Sequence, residues 1–418
     1  MATYQTKEEL AQYQLNKVLL HLKYSYDNSP FYRRKFDEVG IKPEDIKTLE
    51  DYYQKVPFIT KEEIIEAQGK NPPFGDMLAV DRKELSRLYW SPGPITSPFI
   101  KEDYDETAES IGKAYNKILG IGKGDIVDYT GTYNWVVGTL LDEAFRKTGA
   151  AVIPGGAGMT DTHLDVAKRL KTTVIFGFPT FLLRMEERAE EMGIDLKKDL
   201  FIRTIISGGE VLSLEGKNKL REAFGAQLSE IYGVADFPTA AIECPYGGGM
   251  HVLDDCVFEI IDPETSAHVP PKEGGEIVVT ELVRKAHPII RYRTEDLTEG
   301  LNLEPCPCGN PALRLKRILG RRGDIPRVKG LFISPKEITQ VLAKYPELGQ
   351  FQMIVERPTI ADELTIRIEY KKPIAIEDMK GRLVSEFKEA IRIMTKVDFV
   401  PEGAIPEGAK LVEDRRKV

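Results

Sequence analysis

Between Phe201 and Ala241 the stretch FIRTIISGGEVLSLEGKNKLREAFGAQLSEIYGVADFPTAA limits the fold more than any other. An apolar run stops at Ser207-Gly208-Gly209-Glu210, and a helix pattern follows. A second apolar run stops at Ile231-Tyr232-Gly233, and the second turn also holds Asp236. Strand, turn, helix, strand and turn in that order build a sheet whose strand ends share one rim, where open α/β sheets bind ligands. Glycines without β-carbons let backbone approach a flat ligand. They also serve as ordinary strand-to-helix punctuation, and the residues alone leave both readings open.

The flanking sequence extends the pattern. Strands are expected at 125–129, 150–153 and 173–177, with helices at 161–170 and 180–192, an alternation that implies a parallel sheet covered by helices. Upstream, a helix is expected over 7–26, and Thr60 with Glu63 forms a capping box for another. After 250 the texture turns to short β runs, read as a mostly antiparallel subdomain. The basic, glycine-rich stretch 317–330 suits a linker. Beyond it come helix 335–344, strands 351–356 and 363–370, helix 376–393 and strand 396–400, a separate α+β domain of ordinary size. The expected class is α/β: a large N-terminal domain (1–319) with mixed and parallel sheets plus a β subdomain, a linker (320–330), and a small mobile α+β domain (331–418).

Two further segments carry chemistry. Trp90–Lys101, WSPGPITSPFIK, has the Ser, Thr and Gly content of a phosphate loop, yet its three prolines lack N–H donors and no lysine lies within the loop itself, before Lys101 at the helix start. It reads as a rigid turn or a phosphate cradle. Tyr129, Tyr133 and Trp135 follow a strand end and read as core packing or as one wall of an apolar pocket. Net charge −8 argues against a nucleic-acid surface. No apolar run reaches membrane-spanning length and the first residues form no signal core, so a cytoplasmic protein without membrane attachment is expected. The four cysteines, Cys244, Cys256, Cys306 and Cys308, argue for reduced thiols or metal ligands over a disulfide framework. Cys244, His251, Cys306 and Cys308 together suit a closed tetrahedral Zn²⁺ site, the alternative being unligated buried thiols. Cys256 falls in an alternating strand and is assigned to the core.

With these pieces in order, NSPFYRRKFDEVGI, ISGGE, IYGVAD, HPIIRYRTEDLT and GRRGDIPRVKGLFISPKEI resemble the phenylacetate–CoA ligase family of the adenylate-forming superfamily, over nearly the whole chain. The resemblance implies joining of a carboxylic acid to AMP from ATP with Mg²⁺, then transfer to coenzyme A, between a large domain and a mobile small one. It places Gly208, Gly209 and Glu210 at the adenine, Tyr232 stacked on the base with Gly233 beside it, and Asp236 as a Mg²⁺ and phosphate-side acid. Asp296 would hold the ribose, and Arg321 would touch the nucleotide. Ser91 and Gly93 align with the phosphate loop, Tyr133 and Trp135 with the acid pocket, Gly323 with the hinge, and Lys410 with the lysine that stabilises adenylation. Some relatives also carry cysteines and a histidine at the places proposed here for zinc.

Two departures fall on the ATP half-reaction. The phosphate loop has lost its lysine and gained prolines, and the C-terminal IPEGAKLVEDRR is shortened around Lys410. Alternatives are therefore a nucleotidyl transferase of the deazaflavin-adenylating type and a nucleotide- or CoA-binding protein that no longer adenylates. A homodimer is expected, two-fold pairs being the commonest symmetric state.

Overall fold

The computed structural model describes residues 4–416 except 92–93, 135, 235–236, 330, 359–361, 372–374 and 407. Its largest element is a nine-stranded sheet. Ala151–Ile153, Ile126–Tyr129, Val174–Gly177, Thr204–Ser207 and Gln227–Val234 run parallel in that spatial order. Phe237–Glu243 then turns back antiparallel, followed by Met250–Val252, Arg314–Leu315 and Leu301–Asn302. The parallel strands are short apolar runs because helices cover both of their faces. Val127, Tyr129, Phe176 and Ile206 point to one face, against Ile111, Tyr115, Leu140 and Phe145 of Lys101–Leu119 and Val136–Lys147. Ile175, Ile205 and Leu228 point to the other, against Leu164, Leu182, Met185 and Leu220.

A second, antiparallel sheet orders Cys256–Ile261, Gly275–Glu281, Tyr292–Thr298 and Ile318–Arg321. Cys256 is fully buried in it, as its alternating context implied. Composition marked 317–330 as a linker, but Ile318–Arg321 is the fourth strand of this sheet, with Arg321 opposite Asp296. Glycine and basic residues disguise an edge strand here, because the pairing partner lies far away in sequence. A short turn, Arg322–Asp324, follows.

From Val328 onward the buried apolar residues form their own core, in which Ile338, Phe387 and Leu383 pack on Met353, Ile366 and Ile368. Its sheet orders Lys396–Pro401, Glu363–Tyr370, Leu348–Glu356 and Val412–Asp414. Periodicity gave the first three. It missed the last, which pairs parallel with Leu348–Glu356.

Among the contacts between the N-terminal helices and the second sheet, one is a β-bridge. The Ile59 N–H donates to the Arg291 carbonyl (3.1 Å) and the Ile59 carbonyl accepts from the Arg293 N–H (2.9 Å). Immediately after it the Thr60–Glu63 capping box starts the helix Lys61–Lys70. That bridge lays Lys61 beside Tyr292–Thr298.

Candidate active site

A cleft of about 440 Å³ opens where the phosphate-loop segment, the Gly233 strand end and the strand Tyr292–Thr298 meet; its wall includes Ser91, Gly233, Asp296, Arg321, Lys61 and Glu295. Four of these six are residues singled out in the sequence. Asp296 is the best-defined group. The Tyr232 hydroxyl donates to Asp296 Oδ2 at 2.8 Å. Arg321 Nε stands 3.6 Å from Oδ1, placed there by the strand register. Burial pushes the Asp296 carboxyl above its ordinary value, opposed by the Tyr232 hydroxyl and the Arg321 charge. A carboxylate offers about four lone-pair sites, so this one keeps acceptor capacity toward the cleft.

Tyr232 itself departs from the expected arrangement. It lies within Gln227–Val234 and not in a turn, because Val234 pairs with Phe237 in a hairpin. Its ring is 7% exposed, sits edge-on to Phe258 at 6.2 Å and forms no part of the cleft wall. The ring is packed where the resemblance implies a stacked base, and the hydroxyl that orients Asp296 is what it delivers to the cleft.

The glycine turn differs as well. A β-carbon on Gly208 would stand 2.5 Å from Ile231 Cγ1, and one on Gly209 2.4 Å from the Phe178 ring. Ile231 and Phe178 thus fill the side to which each β-carbon would project. Gly209 also has φ +81°, a left-handed backbone that favours glycine. Glu210 caps the helix Pro179–Glu191, accepting from the Thr180 N–H (3.1 Å) and hydroxyl (3.0 Å). None of the three lies on the cleft wall.

The remaining nominated residues are scattered. The Ser91 N–H is spent on the Ile95 carbonyl (2.9 Å). Gly93, Trp135 and Asp236 lie outside the described residues. Tyr133 is half-buried, edge-on to Tyr129 at 5.2 Å, and its hydroxyl donates to Asp142 at 2.6 Å. Gly323 is exposed with no atom within 4 Å of a would-be β-carbon. Lys410 is exposed just before Val412–Asp414, its carbonyl accepting from Gln352, and it is not on the cleft wall.

Lys61 and Glu295 were missed. Lys61 makes no ion pair among the described residues, and no local pattern marks it. It reaches the wall on the helix that follows the Ile59–Tyr292 bridge. Glu295 has φ +62°, which turns the chain into the cleft one residue before Asp296.

Away from the cleft, the ligand atoms of Cys244, His251, Cys306 and Cys308 all lie within 4.8 Å of one another. The Cys244 and Cys306 sulfurs are 3.5 Å apart, and Cys308 Sγ is 3.3 Å from His251 Nε2. His251 Nδ1 faces the Ala312 carbonyl at 3.3 Å, so its proton belongs there and Nε2 is left for a metal. Three thiolates and such an imidazole fit Zn²⁺ in donor type and number.

Residues 130–281 match the sequence profile of the family described as AMP-binding enzyme, and residues 330–416 that of the AMP-binding enzyme C-terminal domain. Phenylacetate-coenzyme A ligase from Pseudomonas putida is 30% identical, over 95% of this chain and 92% of its own length. The enzyme of the same name from Aromatoleum evansii is 29% identical over 98% and 96%. Among solved structures, 2-hydroxyisobutyryl-CoA ligase with its acyl-AMP and CoA overlays in an open conformation with a TM-score of 0.84 (24% identity; 96% and 90% of the two chains). The same ligase in its thioesterification state gives 0.71 (25% identity; 98% and 91%).

Proposed function

The chain belongs to the phenylacetate–CoA ligase family of adenylate-forming enzymes, and from that premise we propose how its cleft carries out AMP-forming acid–CoA ligation. The observation that carries the reading is Asp296, held between the Tyr232 hydroxyl and Arg321 on the wall of a cleft that also presents Ser91 and Gly233. In this reading Asp296 accepts the ribose hydroxyls and Arg321 faces the nucleotide. The acid carboxylate attacks the α-phosphorus, pyrophosphate leaves, and negative charge builds on the phosphoryl oxygens. Prepositioned cations lower that barrier. Lys61, on the wall and without an ion pair among the described residues, supplies one where the phosphate loop has no lysine. Mg²⁺ neutralises phosphate charge when it accompanies ATP. Attack of the CoA thiol on the acyl-adenylate then releases AMP.

The second step calls for a reshaped site. Gly323, exposed and directly after the Asp296–Arg321 pair, can absorb backbone rotation while Arg321 stays in its sheet. The polar ties that the motion must break include Lys336 Nζ donating to the Val211 carbonyl (3.1 Å), Arg317 paired with Glu337 (2.9 Å) and Arg327 paired with Asp262. We assign Lys410 to the site only after such a rotation. The Cys₃His cluster is proposed as structural Zn²⁺, since four donors leave no open position; it would tie the strand ends at Cys244 and His251 to the loop carrying Cys306 and Cys308. A reducing compartment, the cytosol, suits four unpaired thiols.

Arylacetic acids are the proposed substrates, with Tyr133 and its neighbour Tyr129 on the acid side. The test is a panel of phenylacetate, 4-hydroxyphenylacetate, benzoate and 2-hydroxyisobutyrate with ATP, Mg²⁺ and CoA, following AMP and thioester formation. Acid-dependent release of both is expected, highest for an arylacetate. AMP binding without any acid-dependent AMP release would favour the second reading, a nucleotide-binding protein that no longer adenylates. That reading draws on the loop whose Ser91 N–H is already committed and whose prolines donate nothing.

A further inference from the structure

Behind Tyr133 lies a buried ion pair that the ligation chemistry does not use. Asp128, on the strand Ile126–Tyr129, is fully buried, and His163, on the helix Thr160–Leu170, is 3% exposed. His163 Nδ1 is 2.8 Å from Asp128 Oδ2 and 3.1 Å from Oδ1, and Nε2 is 3.0 Å from the Gly156 carbonyl. Both nitrogens face acceptors only, so both carry protons and the ring is an imidazolium. Burial works against the charge, but the Asp128 carboxylate and the Gly156 carbonyl outweigh it and hold the pKa above its ordinary value.

The ring presses on the glycine loop that follows Ala151–Ile153. A β-carbon on Gly155 would stand 2.3 Å from His163 Cε1. The Gly156 N–H donates to the Tyr129 carbonyl (2.9 Å), and a β-carbon on Gly156 would be 3.8 Å from the Tyr133 ring. One residue of the loop is thus fastened on both sides, to the imidazolium and to the strand end, while its open side lies against Tyr133.

We propose that His163 is a positioning residue for the acid pocket: through the Gly156 carbonyl it fixes the glycine loop against Tyr133 and so sets the wall that the acid's side chain meets. The inference rests on the ligase reading, with Tyr133 on the acid side. Asp128 acts behind it, orienting the ring and balancing its charge. His163 touches no substrate.

The test compares two ligands by calorimetry: AMP, and 5′-O-[N-(phenylacetyl)sulfamoyl]adenosine, a stable mimic of an aryl acyl-adenylate. The native protein should bind the mimic much more tightly than AMP; equal affinities, or none, would refute the acid-pocket reading itself. Given that preference, His163→Gln should weaken the mimic by about tenfold, since displacing a site wall by an ångström can cost up to about a hundredfold. AMP should stay within about twofold. Gly155→Ala, which drives a methyl into the imidazole from the loop side, should act in the same direction and serves if His163→Gln does not fold. Equal losses for AMP and mimic, or an unchanged mimic, would overturn the positioning role.

Discussion

Asp296→Asn separates what the cleft does for the nucleotide from what it costs the fold. Tyr232 occupies one acceptor site of the carboxylate at 2.8 Å, and Arg321 at 3.6 Å is an ion pair and not a hydrogen bond. Acceptor sites therefore remain for the two sugar hydroxyls. Hydrogen bonds to a charged acceptor are worth about 1.5–3 kcal/mol each. Asparagine keeps one neutral oxygen and turns the other acceptor into a donor. A loss of about 2–4 kcal/mol follows, or a Kd for AMP raised roughly 30- to 900-fold. Stability moves the other way. A carboxyl whose pKa is raised on folding contributes stability that is fully present below its unfolded pKa and lost as pH rises through the folded one. At neutral pH the ionised Asp296 is a net cost, so the variant's melting temperature should be unchanged or higher. Titration calorimetry with AMP and thermal unfolding at pH 7 read the two effects. Native affinity should also weaken as pH falls through the raised Asp296 pKa, a trend absent from the variant. A change in Kd below threefold at an unchanged melting temperature would refute the ribose assignment.

Lys61→Met should lower kcat/KM for ATP about 100- to 1000-fold in pyrophosphate exchange, the scale of one lost electrostatic donor to a transition-state oxyanion. It should leave AMP affinity within about threefold, and equal losses for ATP and AMP would remove it from the phosphate path. Elemental analysis should find one zinc per chain. Cys308→Ser should lower the zinc content and the melting temperature while AMP still binds, because the cluster ties the sheet's edge and not the cleft.

Local pattern carried most of the secondary structure. The strand Glu363–Tyr370 falls where its alternation of apolar and polar residues put it, and Thr60 with Glu63 caps the helix as the spacing required. Pairing partners were invisible. Val412–Asp414 is too short to show a period and is a strand only because Leu348–Glu356 offers it an edge. Ile318–Arg321 looked like linker for the same reason. Composition also gave the four metal-ligand candidates, although only the fold brings Cys244 within reach of Cys306.

The glycine turn shows why a motif locates a site more surely than it explains one. Missing β-carbons at Gly208 and Gly209 mean that something comes close, and the sequence could not say whether that is a ligand or a neighbour; here it is Ile231 and Phe178. The cations followed the opposite logic. Arg321 sits in a recognisable motif, yet its place beside Asp296 is a strand register, and Lys61 sits in none. A loop lysine would be carried by the same few residues that shape the phosphate site. Lys61 instead arrives on a separate helix, which follows the β-bridge at Ile59. Charge balance around a phosphate constrains the cleft as a whole and not any one segment, so a loop that loses its lysine and gains prolines does not by itself establish that adenylation is lost.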